Sequence, residues 1–247
     1  MDPSSISIPD SLISKLREAR RVTFITGAGI SAESGVPTFR GKDGLWKNYR
    51  AEELATPWAF EKNPELVWKW YDWRRGIIAK AKPNPGHLTI SRLEKFYPEF
   101  TLITQNVDGL HRKAGSENII EIHGNLWRVR CTKEGKTFFL YDVPLQEIPP
   151  RCDCGALVRP DVVWFGESLD PILIRRANQA LSSCDLLFVV GTSGVVHPVA
   201  GFPSIARQSG AFVIEINLDA TPISSLANIA IKGKSGEVLP EIFKNIL

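Results

Sequence analysis

Short apolar runs rich in β-branched residues recur along this chain, and amphipathic stretches separate them. Residues 22–26, 100–104, 119–122, 186–190 and 212–216 read as strands, the first of them as a buried one. Between them the apolar positions return at helical spacing. Asp10 is placed to cap a helix over 11–20 with Leu12, Ile13, Leu16 and Ala19 inward. Asn63-Pro64-Glu65 supplies a cap, a first-turn proline and a first-turn acid for a helix carrying Leu66, Val67, Trp70, Trp73, Ile77 and Ala81. Pro83-Asn84-Pro85-Gly86 stops that helix, a further one spans 87–96, and another spans 171–181. Strands alternating with helices predict an α/β fold with a doubly wound parallel, Rossmann-like sheet.

Two regions break the rhythm. Residues 125–160 hold three of the four cysteines and the turn Ile148-Pro149-Pro150, and read as an inserted smaller lobe. The expected division is a large part from 1–40, 85–124 and 161–247, with a small lobe built by insertions at about 41–84 and 125–160.

The stretch from Gly27 to Trp46, GAGISAESGVPTFRGKDGLW, leaves the first strand. A Gly-x-Gly at such a point lets backbone approach a pyrophosphate, and the N–H groups of the following helix face that charge. Ser31 is placed to cap this helix, which Gly35 and Pro37 end within two turns. A polar loop through Thr38, Phe39 and Arg40 follows, where an ordinary dinucleotide fold continues into a long helix and a strand ending in an acid.

Composition changes this picture little. The 247 residues are 43% hydrophobic and 23% charged, ordinary for a globular chain able to bury a sizeable core. A net charge of +3 gives no argument for nucleic acid as a partner. The first ten residues lack the basic and apolar regions of a secretory signal, and no apolar run approaches the ~20 residues of a membrane span. Four scattered cysteines do not make a disulfide framework, so the expectation is a cytoplasmic protein without a membrane partner.

Polar residues gather after the strands. Gln105-Asn106-Val107-Asp108 follows one, His123-Gly124 another, Gly191-Thr192-Ser193 and Asn217-Leu218-Asp219 two more. Ligands in open parallel sheets collect beyond such carboxyl ends, so these clusters converge on the glycine loop. Histidine titrates near neutral pH and can accept a sugar hydroxyl's proton, although a histidine at a strand end is often only structural. Asn106 and Asp108, two apart, together suit a carboxamide, and Asp108 suits a helix cap equally. Tyr71 and Arg74 share one helix face and could hold a carboxylate, or simply pack and solvate.

These motifs, with Val163-Trp164-Phe165-Gly166-Glu167, resemble the sirtuins, the NAD-dependent protein deacylases, over nearly the whole chain and in the family's order. The resemblance implies NAD as co-substrate and acyl-lysine proteins or peptides as partners. It implies His123 as the base acting on the ribose hydroxyls, with Asn106 beside it in the catalytic pair. The implied NAD set is Gly27, Ala28, Gly29, Ile30, Ser31, Glu33, Thr38, Phe39, Arg40, Trp46, Gln105, Asn106, Val107, Asp108, His123, Gly191, Thr192, Ser193, Asn217, Leu218, Asp219 and Ser235. Nicotinamide and O-acyl-ADP-ribose are the implied products. Val163, Phe165 and Gly166 would hold the peptide backbone by strand addition. Tyr71 and Arg74, with the small Ala55, look like the class III branch, which removes succinyl and malonyl as well as acetyl groups.

The chain departs from the family at its metal motif. Four thiolates are usual in a structural zinc site, but here Cys131 is followed by Glu134, and the second pair is contracted to Cys152-Asp153-Cys154. Glu134 or Asp153 could complete a site, but carboxylates are uncommon in structural ones. The incomplete set leans against zinc without removing it, and Trp127, Phe138, Phe139 and Tyr141 are available to fill the lobe. His87 and His111 read as structural, and Cys184 as a small buried residue. The alternatives are mono-ADP-ribosyl transfer to protein, which shares the first chemical step, and a non-catalytic NAD-sensing or peptide-binding module.

Overall fold

A computed structural model describes residues 8–38, 51–244 and 246. Six strands form one parallel sheet: β1 (Arg21–Thr26), β2 (Glu99–Thr104), β3 (Ile119–Glu121), β7 (Leu186–Val190), β8 (Phe212–Asn217) and β9 (Ile229–Lys232). Their order is β3-β2-β1-β7-β8-β9, with every pair parallel. The chain winds outward on one side of β1 and then on the other, so the order reverses between β1 and β7. Ligands bind at such a reversal.

Both sheet faces are covered, and strand residues divide between two cores by the alternation of the pleat. Val22 and Phe24 join Phe100, Leu102 and Phe188 beneath α1 (Asp10–Glu18), α6 (Pro85–Phe96) and α10 (Ser235–Phe243). The Phe24 and Phe188 rings stack at 4.6 Å. Ile25, Ile103, Leu187 and Val189 face the other way, against α8 (Pro171–Ser183) and α9 (Phe202–Gln208).

A third core lies in a smaller unit. Its sheet is antiparallel, in the order β5-β4-β6, from β4 (Gly124–Cys131), β5 (Thr137–Phe139) and β6 (Val158–Val162). The short helices α3 (Ala51–Leu54) and α4 (Pro57–Lys62) and the long α5 (Pro64–Lys80) pack on it. The Asn63 side chain accepts from Leu66 N–H at 3.0 Å, so α5 begins where its cap and proline predict.

Which face of α5 is buried differs from the pattern. Trp73 is 40% exposed, while Trp68, Tyr71, Arg75 and Ile78 are buried. The helix is covered on more than one side, so a single inward stripe misplaces its contacts. Trp68 donates its indole N–H to Val158 O at 2.8 Å. The Arg75 guanidinium donates to the carbonyls of Leu126, Leu140 and Asp142 and lies over the Trp127 ring. Thus α5 is fastened to the small sheet by polar clasps as well as by packing. The four aromatics expected to fill this unit divide. Trp127 and Phe138 pack against its core, whereas Phe139 and Tyr141 are exposed and stack on each other, because β5 is an edge strand.

The turn after β1 fixes how β1 meets β7. Its helix α2 (Ala28–Ala32) has Gly27 at the cap position and no side-chain cap. Ser31 therefore does not cap it, being buried inside the helix. Gly29 N–H donates to Gly191 O at 2.8 Å. A Cβ on Gly27 would stand 2.7 Å from Gly191 O, and one on Gly29 2.7 Å from Gly191 Cα. Gly191 itself has φ +60°, and a Cβ there would lie 2.6 Å from Ile30 N. The obstacles are main-chain atoms that cannot step aside. Gly29→Ala is expected to destabilise the fold by roughly 1–3 kcal/mol. By contrast Gly76→Ala, in the α5 interior with nothing within 4 Å, should stabilise it by about 0.5–1 kcal/mol. Urea unfolding of the two variants checks both signs.

Candidate active site

The carboxyl ends of β1, β2, β7 and β8 open into a cleft of about 1410 Å³ that runs between the parallel sheet and the smaller unit. Ligand pockets of drug-sized molecules are typically ~300–1,000 Å³, so this one has room for a dinucleotide with part of a second substrate. Gly27, Ala28, Gly29, Glu33 and Thr38 line it from the first turn, and Gln105, Asn106, Val107 and His123 from the β2 and β3 ends. Gly191, Thr192, Ser193, Asn217, Leu218, Asp219 and Ser235 line the far side. Ile30, Ser31 and Asp108 lie behind the wall, buried. Phe39, Arg40 and Trp46 fall outside the described residues.

The buried polar groups hold the wall in a defined arrangement. The Asn106 carboxamide donates its N–H groups to Gly27 O at 3.0 Å and Ser31 Oγ at 3.1 Å. Its oxygen is thereby left to accept from whatever enters the cleft. Ser31 in turn faces the His87 Nε2 at 3.4 Å, and Thr26 Oγ1 meets His111 Nε2 at 2.9 Å. His87 and His111 support the wall from behind, and burial pushes the His87 pKa down to about 4, so it is neutral at pH 7. Asp108 accepts from Leu110 N–H at 2.8 Å, but Gly109 and not Asp108 stands at the cap position of the short helix that follows. Burial raises the Asp108 pKa, an effect opposed by that hydrogen bond, by Ser31 and by the nearby Arg74 charge.

His123 faces the cleft with one nitrogen committed. Its Nδ1 lies 3.2 Å from Gln105 O. A carbonyl only accepts, so Nδ1 carries the proton and Nε2 is the free base. Burial lowers the pKa below the ordinary 6.5, with the Gln105 contact opposing it, which leaves the ring neutral at pH 7.

On the far side, Gln105 Nε2 donates to Thr192 Oγ1 at 2.9 Å and Asn217 Nδ2 to Thr192 O at 2.8 Å. Ser235 donates to Glu33 at 2.6 Å, and Gly236 N–H reaches the same carboxylate. Glu33 thus closes the start of α10 against the first turn. The sequence pattern does not announce Glu215, a buried acid that accepts from Thr221 and Ser224 and shapes the 218–224 loop.

On the smaller unit, Tyr71, Arg74 and Ala55 line the cleft together with Val163, Trp164, Phe165 and Gly166. Phe165 N–H donates to Ala55 O at 2.9 Å, fastening the 163–166 segment beside the small alanine. The Arg74 head lies over the Trp70 ring at 4.9 Å. Desolvation is the main cause lowering its pKa, and Tyr71 and Asp108 oppose it.

Against known proteins, the Sir2 family model matches residues 27–198. The chain belongs to the Sir2 family. A relative from Aquifex aeolicus named NAD-dependent protein deacylase is 53% identical over 227 residues, covering 92% of this chain and 95% of the relative. A solved Sir2 homologue in complex with NAD superposes with a TM-score of 0.92 at 47% identity, over 98% of this chain and 94% of that one. A mutant Sir2 homologue bound to 2′-O-acetyl ADP-ribose also gives 0.92 at 47% identity, over 97% and 96%.

The sirtuin's smaller unit also brings its metal motif together. Ligand atoms of Cys131, Glu134, Cys152 and Cys154 all lie within 4.8 Å of one another. Zinc–thiolate bonds of about 2.3 Å at tetrahedral angles set sulfurs about 3.8 Å apart, and Cys131 Sγ stands 3.6 Å from Cys154 Sγ. The Glu134 N–H donates to Cys131 Sγ at 3.4 Å and holds that thiol's pKa below its usual value. Glu134 is the fourth donor that the cysteine count lacks, so these residues could close a structural zinc site. Protein prepared with zinc should carry a single ion per chain. Glu134→Ala should weaken its retention by more than the about 10–100-fold typical of an outer partner, read by competition with a chromogenic chelator. Equal retention would remove Glu134 from the site.

Proposed function

We propose that this chain is an NAD-dependent protein-lysine deacylase that prefers acyl groups ending in a carboxylate, succinyl and malonyl, and also takes acetyl. The names of its relatives support deacylation. The observation that carries the acyl preference is Tyr71 and Arg74 on one face of α5, lining the cleft together with the small Ala55. A buried carboxylate is costly without a partner. Arg74 can bind it through two parallel hydrogen bonds. Tyr71 adds a neutral donor, since burial pushes its pKa up to about 12.

The substrate's peptide would lie along Val163, Phe165 and Gly166, its acyl-lysine passing inward between the two units. NAD supplies the electrophilic ribose carbon and nicotinamide as leaving group. The glycine turn and Thr192 loop bind it, the Asn106 oxygen orients its carboxamide, and Gln105 lies near the ribose. The acyl-lysine amide oxygen bonds to the electrophilic ribose carbon as nicotinamide leaves. His123 Nε2 then accepts a ribose hydroxyl proton, the freed oxygen bonds to the former amide carbon, and water completes release of the lysine. Nicotinamide and O-acyl-ADP-ribose leave.

His123→Ala should abolish deacylation while calorimetry still detects NAD binding. Because burial keeps the imidazole neutral, the acid limb of the wild-type kcat profile should lie below pH 6.5. Near-normal turnover by the variant would take His123 out of the chemistry.

The acyl preference is tested at position 74. Losing one member of a buried charge pair costs roughly 3 kcal/mol, so Arg74→Met should cut desuccinylation by about a hundredfold or more in kcat/KM. Deacetylation should fall far less. Lysine at 74 should rescue only part, because a point charge cannot reproduce the bidentate geometry. Equal losses on acetyl and succinyl peptides would mean that Arg74 serves the fold instead.

A further inference from the structure

Tyr71 does not meet the cleft alone. Its hydroxyl oxygen accepts the indole N–H of Trp164 at 2.8 Å, across 93 positions of sequence. Both side chains are buried, at 1% and 2% exposure, and both line the cleft. An indole nitrogen only donates, so the direction of this bond is fixed. A phenolic O–H lies preferentially in the ring plane and has two such orientations. The Trp164 N–H occupies one side of the oxygen, which turns the phenol's own hydrogen to the other. Among the described residues the Tyr71 hydroxyl makes no other hydrogen bond.

The indole is itself held from several directions. The Arg159 guanidinium stacks 3.5 Å from its ring centroid, and Phe60 packs on it at 5.3 Å. Arg159 makes two hydrogen bonds to Glu167, at 2.6 and 2.8 Å, and Glu167 accepts the Trp164 main-chain N–H at 2.8 Å. An exposed turn would not need such bracing. Here it fixes one N–H against one hydroxyl.

We propose that Trp164 is a specificity-determining positioning residue: by donating to the Tyr71 oxygen it makes the phenol present its O–H, as donor, to the terminal carboxylate of the acyl group. An acetyl group has no such acceptor, so this device discriminates only among acyl chains. Donation into the phenol also polarises its O–H and strengthens the bond that it gives. The proposal rests on the carboxylate-acyl reading of the cleft.

The test is a double-mutant cycle on one peptide carrying succinyl- or acetyl-lysine. Trp164→Phe should lower kcat/KM for the succinyl peptide roughly three- to tenfold, the scale of one weakened hydrogen bond to a charge, and mainly through KM for that peptide. The succinyl-to-acetyl ratio should fall, with KM for NAD little moved. In a Tyr71→Phe background the same substitution should change that ratio no further. Replacing Trp164 with 3-benzothienylalanine, which keeps the bicyclic shape and deletes only the N–H, should repeat the result should phenylalanine disturb packing. Losses that multiply in the double variant, or that fall equally on both acyl peptides, would overturn the proposal. A wild-type enzyme without succinyl preference would instead sink the reading of the cleft, and the role of Trp164 with it. A lost preference in Tyr71→Phe beside an unchanged one in both Trp164 variants would leave that reading standing and reject Trp164 alone.

Discussion

The meeting of β1 and β7 is the contact on which the rest of the site depends. Gly27, Gly29 and Gly191 press main chain against main chain, and none of the three has space for a methyl group. Because the strands are adjacent and parallel, their two turns leave the sheet on the same edge and touch at the reversal of strand order. The surrounding polar groups are then fixed relative to this contact: Asn106 on Gly27 O, Gln105 on Thr192 Oγ1 and Asn217 on Thr192 O. The glycines therefore serve two purposes, close approach of a phosphate and close approach of the neighbouring loop. The second is visible in the fold without any ligand.

A consequence is that the cleft's large-sheet wall is built before substrate arrives. Two of its side chains already have their other polar atoms taken, and each is left with one free function. Asn106 presents an oxygen and His123 presents Nε2, because their other polar atoms are committed to buried neighbours. Preorganisation of this kind avoids reorganising dipoles during reaction. The same logic recurs on the opposite wall, where a donor-only indole sets the direction of a phenol.

Much of the large sheet was legible because its strands are buried on both faces and appear as unbroken apolar runs. The cap at Asn63 and the proline stops were legible too, being local, whereas Asn84, read only as part of a stop, caps α6. What sequence reasoning missed is non-local. Ser31 looks like a cap from its neighbours, but the sheet draws it beneath Asn106. Trp73 fits a helical stripe, yet α5 is covered on other sides. Glu134 and Asp153 are equal candidates beside the thiols by sequence, and only the arrival of the 152–154 turn at β4 selects Glu134. Glu215 sits in an apolar strand with partners supplied by a later loop. Each depends on which distant segment arrives, and periodicity carries no information on that.

The two ends of one strand pair link the metal motif to the chemistry. β4 begins at Gly124, next to the proposed base His123, and ends at Cys131; β6 runs back from Val158, opposite Cys131, to Val162. At the near end Val163 N–H donates to His123 O at 2.9 Å, and Gly124, at φ +85°, lies so close to Asp161 O that a Cβ would stand 2.1 Å from it. His123 and the segment holding Trp164 and Phe165 therefore emerge side by side from a single antiparallel ladder. Arg128 and Arg130 both pair with Asp161 across that ladder and pin its register. A one-residue slip would turn every side chain to the opposite face. The cysteine cluster closes the far end of the same two strands, so a metal there would act on catalysis mechanically, by holding their pairing, with no atom of it near the cleft.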